Sequence, residues 1–152
     1  MKLSTKGRYG VRAMIELALR YGEGPIALKN VAESQSISDH YLEQLMGSLR
    51  KAGLVVSVRG AQGGYMLNKE PGNIRLSNII RALEGPIAPV DCVTDEPGEE
   101  ICEQMDTCVA RGAWLRLRNA MVEVLDNITL QDLVEETKNI KEDETDNYMY
   151  YI

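Results

Sequence analysis

Apolar residues recur along this chain in two rhythms, and the switches between them outline its elements. Behind Ser4 or Thr5, either able to cap a helix start, Val11, Met14, Ile15, Ala18 and Leu19 recur at helical spacing. Gly22-Glu23-Gly24-Pro25 stops that helix. Leu28, Val31 and Ala32 predict a short second helix and Gln35-Ser36-Ile37 a turn. Ser38 then caps a third helix bearing Tyr41, Leu42, Leu45, Met46 and Leu49, and Gly53 stands where a left-handed residue closes a helix. Next the rhythm shortens. Leu54 to Val58 reads as a strand, Tyr65-Met66-Leu67 as its partner, and the glycine-rich Arg59 to Gly64 joins them. Ser77 is expected to cap a further short helix carrying Ile79, Ile80 and Leu83.

Gly85 to Pro89 reads as a stiff linker, followed by an acidic loop from Val90 to Cys108. From Val109 to Ile128 a long helix carries Trp114, Leu117, Met121, Val124 and Ile128 at alternating steps of three and four, the spacing of a coiled-coil seam, with an ordinary core stripe as the alternative. Thr129 caps a last short helix, Leu130 to Thr137, and the polar stretch 138–146 predicts a flexible tether ending in Asn147-Tyr148-Met149-Tyr150-Tyr151-Ile152. The chain therefore divides into residues 1–84, a linker and cysteine loop 85–108, a dimerisation segment 109–137 and an acidic tail 138–152. Helix, helix, turn, helix and hairpin, in that order, make a winged helix-turn-helix. The expected fold is mostly α with a small β-hairpin wing, plus a long dimerisation helix. In such a domain the third helix enters the major groove and the hairpin reaches the backbone or minor groove.

Charge sharpens this reading. The whole chain carries a net −6, yet residues 1–84 hold twelve Lys and Arg against seven Asp and Glu, a net of +5. Residues 85–152 hold five against sixteen, a net of −11. The basic half can be drawn to a polyanion while the acidic half stays away from it. No apolar run is long enough to span a bilayer, and Met1 to Lys6 lacks the apolar core of a signal peptide, so a cytoplasmic protein is expected. No Ser/His/Asp arrangement, Cys/His pair or nucleotide loop points to an enzyme. Gly60, Gly63 and Gly64 are followed by neither Gly-Lys-Ser/Thr nor a helix, as a phosphate loop would require.

Candidate DNA-reading residues follow from the third helix and the wing. Ser38, His40, Tyr41, Glu43 and Gln44 lie in the N-terminal half of that helix, whereas Leu42, Leu45 and Leu49 belong to the core. Gln can bond adenine bidentately, and Glu can accept from cytosine N4. A solvated helix carboxylate is the plain alternative for Glu43. Arg59 can enter a narrow minor groove, with Gly60 letting the hairpin turn. Cys92, Cys102 and Cys108 make an odd count of thiols on one loop. Thiolates suit an iron–sulfur cluster, but with no Cys-x-x-Cys pair the spacing alone is a weak signal, and incidental or redox-active thiols are the alternative.

Three motifs, Met1 to Gly10, Tyr41-Leu42-Glu43-Gln44-Leu45 and Val58-Arg59-Gly60-Ala61-Gln62-Gly63-Gly64-Tyr65, resemble one family of bacterial winged helix-turn-helix regulators, the IscR/CymR/NsrR family. The likeness continues through Ile79 to Ile87. The resemblance implies a homodimer on a palindromic operator, usually repressing transcription, with base-reading roles for His40, Glu43 and Gln44. Two features point to different members. The cysteines resemble the IscR and NsrR loop and imply an iron–sulfur cluster, 2Fe–2S being the expected type. There, however, a His follows the last Cys by three residues, where this chain has Arg111, and an NsrR-type acidic ligand from the first helix would fall on Arg8. The fourth ligand stays open among Glu43, His40, an acidic loop residue and a small thiol. The terminal Tyr148 to Ile152 resembles the CymR tail. That likeness implies O-acetylserine thiol-lyase as a partner, with Tyr151 and Ile152 as the partner-binding residues; a tail folded back on its own dimer is the alternative.

Overall fold

The computed structural model describes residues 1–95 and 102–149. Helix α1 (Thr5–Leu19) buries Ala13, Met14, Leu17 and Ala18, while Val11, Ile15 and Leu19 lie half-buried at the edge of the core. Ser4 occupies the N-cap position, but its hydroxyl caps nothing. That acceptor is supplied instead by Glu84, whose Oε1 takes bonds from the backbone N–H of Ser4 at 2.9 Å and of Gly7 at 3.1 Å, and from the Ser4 hydroxyl. A carboxylate at a helix N-terminus satisfies orphan donors and complements the helix dipole.

Helices α2 (Leu28–Gln35) and α3 (Asp39–Lys51) follow, joined through Ser36 in the left-handed conformation. Ser38 caps α3 as expected, its Oγ accepting from Tyr41 N at 3.3 Å. Gly53, at φ 76°, follows the last residues of α3 and turns the chain into the wing. Strands β1 (Val55–Val58) and β2 (Gly64–Leu67) pair antiparallel, with Val55 opposite Leu67 and Val58 opposite Gly64. Ile26 adds a rung that the hydrophobic pattern does not predict. Its N–H and C=O both bond Tyr65 at 2.9 Å, so the segment before α2 lies beside β2. Only glycine fits at position 64, because a Cβ there would stand 2.0 Å from the Ile26 carbonyl oxygen.

Helix α4 (Leu76–Glu84) begins one residue before the expected cap. Ser77 lies inside its first turn, fully buried, and donates to Asp126 Oδ1 at 2.5 Å. Asn78 performs the capping, reaching back to Arg75 N at 2.9 Å. A short 3-10 turn at Asp91–Val93 leads towards α5 (Val109–Asn127), for which Cys108 is the N-cap residue. At the far end of α5, Leu76 N donates to Ile128 O and Leu130 N to Ile74 O, both at 2.8 Å. These bonds stitch the α5–α6 corner onto the segment that leads into α4.

The last helix corrects an expectation. Thr129 does open α6, with Thr129 N donating to Asp132 Oδ2 at 2.8 Å and Asp132 N donating to Thr129 Oγ at 3.2 Å. The Thr129 backbone N–H first, and its hydroxyl second, hold the Asp132 carboxyl below the usual carboxylate range. However, α6 runs from Leu130 to Met149, so residues 138–146 are helical rather than a flexible tether. Leu130 and Val134 are buried in the same core as α1 and α3, so the first turns are held by packing. Beyond them no Gly or Pro interrupts 130–149, and Lys138, Lys141, Glu142 and Glu144 are good helix formers. Extending a packed helix avoids the cost of nucleating a new one. The expected DNA-domain core is otherwise observed, with Leu42, Leu45, Met46 and Leu49 from α3 buried against Met14, Leu17 and Ile79.

Candidate nucleic-acid interface

Helix α3 is amphipathic in a way that separates support from read-out. Its apolar face is spent entirely on the core, leaving Asp39, His40, Glu43, Gln44 and Ser48 exposed. Among the described residues Glu43 makes no side-chain hydrogen bond, whereas His40 and Gln44 touch, with Gln44 Nε2 3.3 Å from His40 Nε2. An amide nitrogen can only donate, so this ring nitrogen accepts, and the Gln44 carbonyl oxygen and its second N–H remain available. Ser38 is exposed but its oxygen is engaged in the cap. Tyr41 is different again: it is half-buried, edge-on to the Tyr9 ring at 6.1 Å and 86°.

The wing lies next to this helix. Arg50, in the last turn of α3, donates from Nη1 to Ser57 Oγ on β1 at 3.3 Å. Arg59 is exposed immediately beyond β1, and Gly60, at φ 115°, allows the reversal that follows it. A Cβ on Gly63 would meet the Val58 carbonyl oxygen at 2.1 Å, so no side chain fits at that point of the wing tip. The structure thus brings α3 and the wing together. Sequence reasoning missed two devices beside them: the Ile26–Tyr65 rung, and the bonds from Arg12 on α1 to Gln35 at the end of α2. Neither is periodic, and a lone Ile after Pro25 carries no strand signal.

The cysteines are not drawn into a comparable arrangement. Cys92 is half-buried on the 3-10 turn, and Cys102 and Cys108 are exposed, all three as free thiols. Among the described residues no three Cys, His, Asp or Glu side chains are grouped so as to hold a metal ion. Arg118 pairs with Asp95 across the 3-10 turn. Arg111 occupies the position from which a fourth ligand would be expected, and a guanidinium, always protonated, cannot ligate a metal. The donor chemistry of three thiols suits an iron–sulfur cluster; their placement in one chain does not. Tyr151 and Ile152 lie outside the described residues. Within the described residues no helix is long and apolar enough to cross a membrane.

The regulator CymR of Bacillus subtilis is 50% identical over 152 residues, covering all of both chains. IscR of Pectobacterium atrosepticum is 42% identical over 134 residues, 88% of this chain and 79% of that protein. The solved structure of B. subtilis CymR, described as the global cysteine regulator, superposes with a TM-score of 0.73 at 51% identity over 90% of this chain and 98% of that one. IscR of T. potens follows with 0.72, 46%, 90% and 88%. Both relatives are named as transcriptional regulators, and neither as an enzyme. The resemblance read from the three motifs is thereby borne out, as is the mostly helical fold with its two-stranded wing. A family model described as an iron-dependent transcriptional regulator matches residues 3–136, and the chain belongs to that family, Rrf2, of DNA-binding transcriptional regulators.

Proposed function

We propose that this protein is a homodimeric, sequence-specific regulator that represses transcription from a palindromic operator. One observation carries the reading: Glu43 and Gln44 stand exposed on α3 beside a wing that exposes Arg59. Gln44 and Glu43 read base edges in the major groove, with His40 orienting Gln44, while Arg59 enters the adjacent minor groove. Ser38 and Gly60 shape the backbone that presents them, and Tyr41 supports the helix from beneath. Dimerisation falls to α5. None of the 19 residues of this helix is fully buried in its own chain, and it exposes Val109, Trp114, Leu115 and Val124. Exposed large apolar side chains on a helix that packs so little of itself are available for a partner to cover.

The test is direct. A duplex enriched from random sequence by the wild-type protein should show two half-sites whose centres lie about 34–36 Å, one helical turn, or a multiple of it apart. Gln44→Ala should cost about 1–3 kcal/mol on that duplex and relax discrimination at one base position. Variants of Gln44 and Arg59 that bound enriched and random duplexes as the wild type does would remove α3 and the wing from the interface.

Within this function the effector has two readings. The three free thiols, together with relatives named IscR, favour an iron–sulfur cluster as the signal, assembled only when the loop or a second subunit gathers the ligands. The match to CymR over the full length of both chains favours a cluster-free repressor of sulfur metabolism acting with O-acetylserine thiol-lyase through Tyr151 and Ile152. An ultraviolet–visible spectrum of anaerobically purified protein separates them. Visible charge-transfer absorption, lost in Cys92→Ala, Cys102→Ala or Cys108→Ala, supports the first; colourless protein that captures the thiol-lyase, and loses it on deleting Ile152, supports the second.

A further inference from the structure

One side of α1 carries a line of polar and aromatic contacts at the edge of the core. Arg12 donates from Nε to Gln35 Oε1 at 3.0 Å and from Nη2 to the Gln35 carbonyl oxygen at 3.2 Å. Gln35 is the last residue of α2, so this carbonyl is one of the orphan acceptors of a helix end, and a cation there also complements the helix dipole. The Arg12 guanidinium carbon lies 5.3 Å from the Tyr9 ring centroid, and Tyr9 in turn meets Tyr41 edge-on in the first turn of α3. One turn further along α1, Glu16 reaches towards Gln35 Nε2 at 3.5 Å and pairs with Arg20 at 3.1 Å. Arg12, Glu16 and Arg20 thus follow each other at intervals of four on a single face.

Resting on the DNA-reading function above, we propose that Arg12 is a positioning residue for sequence discrimination: it clamps the end of α2 directly and, through Tyr9, braces Tyr41 and the base-reading turn of α3. The geometry explains why an arginine is needed. Its planar fork serves a side-chain and a backbone acceptor of one residue while its face covers an aromatic ring, and a lysine can do only part of this. The turn between α2 and α3 contains Ser36 in the left-handed conformation, φ 53°, the one non-glycine residue with positive φ among the described residues. Such a turn relies on its surroundings to hold it. The two contacts of Arg12 and Tyr9 grip it from both sides, at the end of α2 and at the start of α3.

The alternative role for an exposed arginine in a DNA-binding domain is a phosphate contact, and the two roles make opposite predictions. The probes are the duplex enriched by the wild-type protein and a scrambled duplex of equal length and composition. Arg12→Lys retains the charge but not the fork. Positioning predicts about a tenfold loss on the enriched duplex with the scrambled duplex changed by less than about twofold, and an unaltered salt slope. Tyr9→Leu should behave the same way, whereas Tyr9→Phe, which keeps the ring, should restore discrimination. If Arg12→Lys binds both duplexes as the wild type does, while Arg12→Ala weakens both equally and lowers the salt slope by about one, Arg12 is a phosphate contact and the proposal is overturned. Failure of the wild-type protein to enrich any duplex would instead remove the DNA-reading function itself. Gln44→Ala serves as the reference, since it should lose discrimination without any change at the α2–α3 turn.

Discussion

Glu84 caps a helix that begins about eighty residues earlier in the chain, its carboxylate taking the N–H groups of Ser4 and Gly7. Local pattern points to Ser4 or Thr5 for that task, because a sequence-level cap is read from neighbours, and a partner at this separation leaves no local trace. The consequence is measurable. Glu84→Ala should lower stability by about 0.5–2 kcal/mol, and Thr5→Ala by much less; thermal unfolding of the two variants decides between a distant cap and a local one. Ser77 teaches the same lesson in reverse. A serine before an apolar run looks like a cap, yet here it is buried and bonded to Asp126, and its neighbour Asn78 caps instead. Ser38, Gly53 and Thr129 were legible because each acts on residues next to it.

At the scale of elements, the helices that face a core declared themselves through their period, as α3 does with Leu42, Leu45, Met46 and Leu49. The wing was legible from two short apolar runs about a glycine loop, but its attachment was not. The rung between Ile26 and Tyr65 ties the hairpin to the segment preceding α2, and Gly64 is the position that lets the two backbones approach. Gly64→Ala must push the Ile26 backbone away, an overpacking that should cost about 1–3 kcal/mol. Amide exchange of Ile26 and Tyr65 should accelerate in that variant, and binding to the enriched duplex should weaken because Arg59 is no longer held; unchanged exchange would show the rung to be dispensable. The second half of α6 escaped for a different reason. Its composition, polar and acidic with few apolar residues, satisfies the description of an unfolded segment, and nothing in it reveals that a packed helix lies immediately upstream.

For the whole molecule, the proposed pairing of two chains depends on α5, where the seam of alternating threes and fours divides in the structure. Trp114 and Val124 face outward, at 41% and 58% exposure, while Met121 and Leu125 line a cavity of about 410 Å³ with Ile80, Ile87 and the N-terminal Met1 and Leu3. One chain shows a helix stripe without showing which of its residues a neighbour will claim, and this is why the sequence leaves the interface open. Replacing Trp114 and Val124 together by Asp should leave the monomer folded, since neither is buried in it, but place unpaired charge in the interface. Sedimentation should then report monomers, and binding to a two-half-site duplex should fall because the half-sites are no longer linked. A double variant that still sediments as a dimer would move the interface elsewhere. The helical course of α6 also changes what a chain end can do. The twelve residues 138–149 reach about 18 Å as helix, and a flexible chain of that length would average roughly the same, 17–21 Å. The mean reach is equal, but the direction is not: a coil samples a sphere, whereas a rod rooted in the core at Leu130 and Val134 aims at one bearing. A fluorophore carried on Met149 and another on the wing would therefore report one narrow distance, and two such rods in a symmetric pair would point along directions fixed by the two-fold axis.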